Sequence, residues 1–158
     1  MVTRDRNVPP ADAAGAGSVE PEDRYAGCFG CGPANPIGLK LEFRRDGDEV
    51  AATTTLGPAH AGYEEFVHGG IVATMLDEAM GWALIELADT YAVTESLDVR
   101  YRRPVTVGRT VTVRATVVGN EGTKYDVEAR ILDERDRLLA RATSRWTRVR
   151  PERARRSS

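Results

Sequence analysis

Residues 64–89, "EEFVHGGIVATMLDEAMGWALIELAD", constrain this chain more than any other stretch. Read as a helix, the run places Ile71, Val72, Met75, Leu76, Ala79, Met80, Trp82, Ala83, Leu84, Ile85 and Leu87 around nearly the whole circumference. A helix with almost no solvated stripe is stable only when other parts of the protein cover it. Yet Asp77 and Glu78 stand side by side in its middle, and no Lys or Arg lies between His68 and Asp89 to pair with them. Burying a carboxylate without a partner is costly, so the two acids call for a reason as much as the helix calls for a wrapper.

Strands supply the wrapper. "GLKLEF" sets Leu39, Leu41 and Phe43 against Lys40 and Glu42, "DEVAATTTL" is rich in β-formers, and the two read as a hairpin around "RRDGDE". After the helix, "ESLDVRYRRPV" alternates Leu97, Val99 and Tyr101 with Asp98, Arg100 and Arg102, while "TVTVRATVV" alternates Val111, Val113, Ala115 and Val117 with Thr112, Arg114 and Thr116. "GNEG" offers a turn into "TKYDVEARILD", where Tyr125, Val127, Ala129 and Ile131 share a face, and "DERDR" turns into "LLARATSRWTRV". Each run has one apolar face, and the helix is the large apolar element left to cover it. The pattern predicts an α+β domain, an antiparallel meander wrapped around one long helix inserted after the second strand.

A chain of 158 residues fits one domain. Residues 1–23 mix Pro, Ala, Gly and charge without apolar periodicity and read as a disordered tail; 24–149 form the domain; 150–158 are a basic tail. A formal net charge of -2 gives no pull toward nucleic acid or an anionic membrane. With no apolar leader after a basic start, and with two acids inside the helical run, we expect a cytoplasmic protein without a membrane span. Cys28 and Cys31 form "CFGC"; with His60 and His68 they would make four ligands, but the histidine spacing is outside that of a zinc finger. The expectation is two thiols packing a turn, with no metal and no cofactor.

The helix mouth carries "HGG". Glycines at a helix N-terminus let a ligand approach backbone N–H groups closely, and such groups stabilise a developing oxyanion. An oxyanion site together with a buried acid is equipment for hydrolysing an acyl group. His68 and Asp77, however, lie roughly 13 Å apart along the axis at the helical rise. Two antiparallel copies of the helix would bring Asp77 of one chain beside His68 and Gly69 of the other, which predicts a two-fold homodimer with shared sites.

"CFGCGPANPIGLKLEF", "HGGIVATMLDEAMGWA" and "VTESLDVRYRRPV", in that order, resemble hotdog-fold acyl-CoA thioesterases of the PaaI-like branch over about residues 25–149. The resemblance implies a sheet curled around one helix, a small-molecule acyl-CoA substrate, and a homodimer or a homotetramer built from dimers. It implies that Asp77 is the catalytic acid, acting as base or nucleophile. Gly69 matches the backbone donor that polarises the thioester carbonyl, with His68 and Gly70 beside it. Thr94 matches a hydroxyl that orients the nucleophile. Glu78, about 100° around the helix from Asp77, is a second-rank residue of the substrate site.

The sequence departs from the family at Gly62, where many relatives carry Asn or Gln six residues before the HGG histidine; His60, Tyr63, Glu64 and Glu65 are the neighbours available to replace it. Arg100, Arg102 and Arg103 stand beside Pro104 and are candidates to meet coenzyme A phosphates, Arg102 and Arg103 foremost, against the alternative of a charged outer strand face. Two functions follow from these readings: a thioester hydrolase, or a non-catalytic acyl-CoA binding protein in which Gly62 marks lost chemistry. A hotdog dehydratase is a weaker third, because an Asp nine residues after the HGG histidine fits hydrolysis better.

Overall fold

The computed structural model describes residues 25–150, so the expected tail at 1–23 and all but the first residue of the expected tail at 150–158 lie outside the described residues. The elements run β1 (Arg44–Asp46), β2 (Glu49–Thr55), β3 (Ala61–Tyr63), β4 (Phe66–Val67), α1 (Gly69–Ala88), β5 (Ala92–Tyr101), β6 (Thr110–Glu121), β7 (Lys124–Asp133) and β8 (Leu138–Arg148). Six strands form one antiparallel sheet in the order β1-β2-β6-β7-β8-β5, and β3 pairs with β4 in a separate ribbon. The long helix packed on this sheet is the hotdog arrangement.

Period-two alternation decides which face meets the helix. Val111, Val113 and Ala115 of β6, Tyr125, Val127, Ala129 and Ile131 of β7, and Ala140, Ala142 and Trp146 of β8 are all buried. From α1, Val72, Met75, Leu76, Ala79, Met80, Trp82, Ala83 and Leu84 fill the same core. The segment before β1 covers a further side of the helix: Cys31, Leu39, Leu41 and Phe43 are buried, and the rings of Tyr25 and Phe43 lie 5.9 and 6.1 Å from that of Trp82. Burial is incomplete elsewhere, with Thr74, Asp77 and Glu78 half-buried. No helix among the described residues is long and apolar enough to cross a membrane.

The structure corrects three boundaries. Leu39–Leu41–Phe43 bury as the alternation predicts, but they are not a strand: Lys40 has φ 52°, which breaks the extended ladder, and the hairpin is the shorter pair Arg44–Asp46 with Glu49–Thr55. The helix starts at Gly69, not at 64, because Glu64 takes a left-handed φ of 47° and turns β3 into β4. The predicted "GNEG" turn falls later, since β6 continues to Glu121, paired with Lys124, and Gly122 turns the chain at φ 65°.

On the outer face, Glu49 accepts hydrogen bonds at 3.0 Å from both Arg114 Nη1 and Arg130 Nη2, tying β2 to β6 and β7. The Arg130 hydrogen bond is the main reason that the Glu49 carboxyl sits below its ordinary 4.5; burial acts the other way, and the charges of Arg130 and Arg114 add to the lowering. A group with a depressed folded pKa contributes stability above its unfolded value, lost as pH falls through the folded one. Glu49→Gln should therefore melt below wild type at about pH 7, with the gap narrowing as acid protonates the lowered Glu49 carboxyl and removes the charge that the variant already lacks. Scanning calorimetry across that range checks this; a gap that is constant with pH would contradict it.

Candidate active site

The mouth of α1 is built by its own cap. His68 stands at the N-cap with φ -57° and ψ 134°; its Nδ1 accepts the Gly70 N–H at 2.9 Å, and its carbonyl accepts the N–H groups of Ile71 and Val72 at 2.9 and 3.1 Å. Gly70, expected beside the substrate, thus has its N–H engaged by His68. The Gly69 N–H has no partner among the described residues, leaving one amide at the positive end of the helix dipole. The Tyr101 hydroxyl donates to the Gly69 carbonyl at 2.8 Å and fixes the mouth against β5. Sequence reasoning placed Tyr101 on a strand face and missed this role; its position three residues before Pro104 offers no signal of it.

A groove of ≈ 330 Å³ opens at this mouth, lined by Val67, Gly69, Val72, Tyr101, Arg102 and Arg103, among others. The two arginine backbones are held by N–H donation to the Leu139 carbonyl at 2.8 and 2.9 Å, and Arg103 Nη1 also donates to the Leu138 carbonyl at 2.8 Å. Arg100 instead forms an ion pair with Asp98 at 3.0 Å. The structure therefore brings Arg102 and Arg103, but not Arg100, to the groove beside Gly69.

Asp77 lies about 12 Å along the axis from Gly69, eight residues at the helical rise. Thr94 Oγ1 donates to Asp77 Oδ1 at 2.8 Å, joining the two residues that the sequence selected from different elements. Thr94 is exposed on β5, at an irregularity between Thr94 and Ser96, and β5 is an edge strand whose other side carries no partner among the described residues. Asp77 thus sits half-buried, with one oxygen held, in a helix otherwise packed into a core.

Glu78 points elsewhere, into the Cys28–Cys31 turn. Cys28 Sγ is 3.5 and 3.6 Å from the two carboxylate oxygens, and the sulfurs and a carboxylate oxygen of the trio lie within 4.8 Å of one another. Burial, chiefly, pushes the Glu78 carboxyl up to about 7. The Cys31 side-chain hydrogen bond brings the Cys28 thiol down to about 5, and the same bond raises Cys31. A Cβ at Gly30 would lie 2.4 Å from Glu78 Oε2, so the turn can approach the acid this closely because residue 30 has no side chain. The puzzle of the paired acids is resolved by direction: Asp77 meets Thr94, and Glu78 meets two thiols.

The missing polar residue at position 62 has a steric cause here. A Cβ on Gly62 would lie 2.8 Å from His68 Cα, because the His68 N–H bonds the His60 carbonyl at 2.9 Å and folds the ribbon back on the helix mouth. Of the neighbours considered as replacements, Tyr63 is 71% exposed, Glu64 and Glu65 are exposed in the turn, and His60 Nδ1 is buried without a hydrogen-bond partner among the described residues.

Residues 64–140 match the model of the Thioesterase superfamily, a span that takes in the whole of α1. Among curated proteins, the mouse acyl-coenzyme A thioesterase THEM4 is 32% identical over 93 residues, 58% of this chain and 39% of that protein. The chain spans 37% to 42% of the length of the curated relatives it matches. Among solved structures, the PaaI protein of the E. coli phenylacetic acid degradation operon superposes with a TM-score of 0.67 at 19% identity, covering 74% of this chain and 85% of that one. A hypothetical thioesterase protein from Streptococcus pneumoniae TIGR4, solved with coenzyme A, superposes with a TM-score of 0.64 at 22% identity, covering 69% and 85%.

Gly62→Asn, which would install the residue many relatives carry, should destabilise the chain by about 1–3 kcal/mol, the range for forcing extra atoms into a packed site. A lower urea midpoint at unchanged slope is the expected reading. An unchanged or raised midpoint would show that the ribbon moves aside freely.

Proposed function

We propose that the protein is an acyl-CoA thioesterase whose site is shared across a two-fold dimer. The observation that carries this reading is the 2.8 Å bond from Thr94 to Asp77, which holds a half-buried carboxylate on the helix whose N-terminal Gly69 N–H has no partner among the described residues. Thr94 occupies one oxygen and leaves the other to act. In hydrolysis Asp77 takes a proton from water as the water attacks the thioester carbon, or attacks that carbon itself and is then released by water. Either route places negative charge on the thioester oxygen, where the Gly69 N–H and the positive end of the helix dipole stabilise it. Collapse breaks the C–S bond: in the first route Asp77 returns its proton to the departing thiolate and the free acid leaves, and in the second the thiolate leaves an acyl–Asp77 anhydride, which water cleaves to the free acid while supplying the thiol proton.

Arg102 and Arg103, beside Gly69 in the groove, are suited to the phosphates at the other end of the substrate. Coenzyme A bound to the streptococcal structural neighbour and the acyl-coenzyme A thioesterase activity named for the mouse relative support this substrate class. The open side of β5 and the axial separation of Gly69 from Asp77 support a second copy as partner. A second reading, acyl-CoA binding without turnover, draws on the steric exclusion of a polar side chain at Gly62.

A thiol-release assay over short, long and aromatic acyl-CoAs separates the two. The enzyme reading expects turnover of at least one thioester, and a loss of about a hundredfold or more in folded Asp77→Asn, the scale of a missing general base. Coenzyme A binding with no turnover of any thioester would favour the second reading. Near wild-type turnover in Asp77→Asn would remove Asp77 from the chemistry.

A further inference from the structure

We propose that Cys28, Cys31 and Glu78 form a binding site for zinc, distinct from the Asp77 site on the neighbouring face of the helix. This reverses the expectation of two thiols packing a turn. The spacing of Cys28, Cys31, His60 and His68 argued against zinc, but the structure supplies a different third ligand, Glu78, 50 residues from Cys28 in sequence.

Geometry carries the proposal. One ligand atom from each residue lies within 4.8 Å of the others, and Cys28 Sγ stands 3.5 Å from Glu78 Oε1. Around a tetrahedral zinc, thiolate and carboxylate ligands are separated by about 3.5–3.8 Å, as the usual bond lengths require. The Cys28–Glu78 spacing already falls there, and the other separations, within 4.8 Å, need to shorten by about 1 Å at most to close on an ion.

The turn is also held in shape. The Gly32 N–H bonds the Cys28 carbonyl at 2.9 Å, and the N–H groups of Leu39 and Leu41 bond the carbonyls of Phe29 and Gly30 at 2.8 and 2.9 Å. Gly32 is as tightly placed as Gly30: a Cβ there would lie 2.4 Å from the Ala26 carbonyl oxygen and the Cys28 nitrogen. Gly30 thus lets the turn close on the acid, and Gly32 lets the turn close on itself. Glu78 itself rides on α1, so the third ligand is fixed by the core.

Charge points the same way. Cys31 is buried, Cys28 and Glu78 are half-buried, and no Lys or Arg among the described residues pairs with any of the three. Three acidic groups in a sheltered site need protons or a cation. Two sulfur ligands select a borderline-soft ion over magnesium or calcium, and three protein ligands leave the fourth position to water or an added ligand.

The test uses the full chain, expressed with zinc and purified under reducing conditions without chelator. Elemental analysis should find about one zinc per chain, as one three-ligand site predicts. Cobalt replacing zinc should give a sulfur-to-cobalt charge-transfer band, absent in Cys28→Ser and Cys31→Ser. Glu78→Gln should fold, by circular dichroism, yet bind zinc at least about tenfold more weakly in competition with a chromophoric chelator, since even groups behind a ligand change affinity on that scale. If a cysteine variant fails to fold, Glu78→Gln and the wild-type cobalt spectrum still decide. Failure of folded, reduced protein to take up zinc would overturn the site, as would zinc retained in full by Cys28→Ser or Glu78→Gln. None of these readings depends on thioester turnover, so the site stands or falls apart from the proposed activity.

Discussion

The burial of α1 is the constraint on which the rest of the molecule depends. A 20-residue helix with apolar groups around most of its surface cannot be left in water, and the inner faces of β6, β7 and β8 remove one side of it. Roughly 25 cal/mol for each Å² of apolar surface withdrawn makes this the dominant favourable term, larger than any single polar contact in the fold. The Tyr25–Phe43 segment then covers Trp82 and, in doing so, delivers the Cys28–Cys31 turn to Glu78. What the core leaves half-covered is the part of the helix that carries Asp77.

That geometry separates the functions of two adjacent acids. Residues 77 and 78 differ by about 100° around the axis, enough to place one against an edge strand and the other against a loop. Thr94 gives Asp77 a polar neighbour without a countercharge. Glu78 receives thiols and a glycine backbone, a more sheltered setting. Sequence neighbours on a helix do not share an environment, and here the difference divides a candidate catalytic group from a candidate ligand.

The helix and the faces of β5 to β8 were legible in the sequence because each depends on local periodicity, whereas the pairing of Asp77 with Thr94 was implied only by the family resemblance. Leu97, Val99 and the alternating residues of β6 and β7 announce their faces within a few residues. The boundaries were less so: Lys40 and Glu64 adopt left-handed backbone that neither residue type signals, and each ends a pattern that propensity would continue. The contacts of the site were least legible. Nothing in "CFGC" points to an acid 50 residues away, and nothing in "HGG" says that His68 engages the Gly70 amide while leaving Gly69's unpaired. Such features arise when distant segments meet in the fold, so one sequence gives them no local signal.

The shared site is the central claim, and complementation between two damaged chains tests it most directly. Asp77→Ala removes the acid. Gly69→Pro removes the N–H at the first helical position, where proline is tolerated, and the preceding His68, at φ -57° and ψ 134°, already has the backbone that a following proline requires. Each variant alone should be nearly inactive. Refolded together in equal amounts, they should recover about a quarter of wild-type turnover, because random pairing makes half the dimers mixed and each mixed dimer holds one intact site. Verified mixed dimers with no turnover, prepared from chains that fold, would contradict the account.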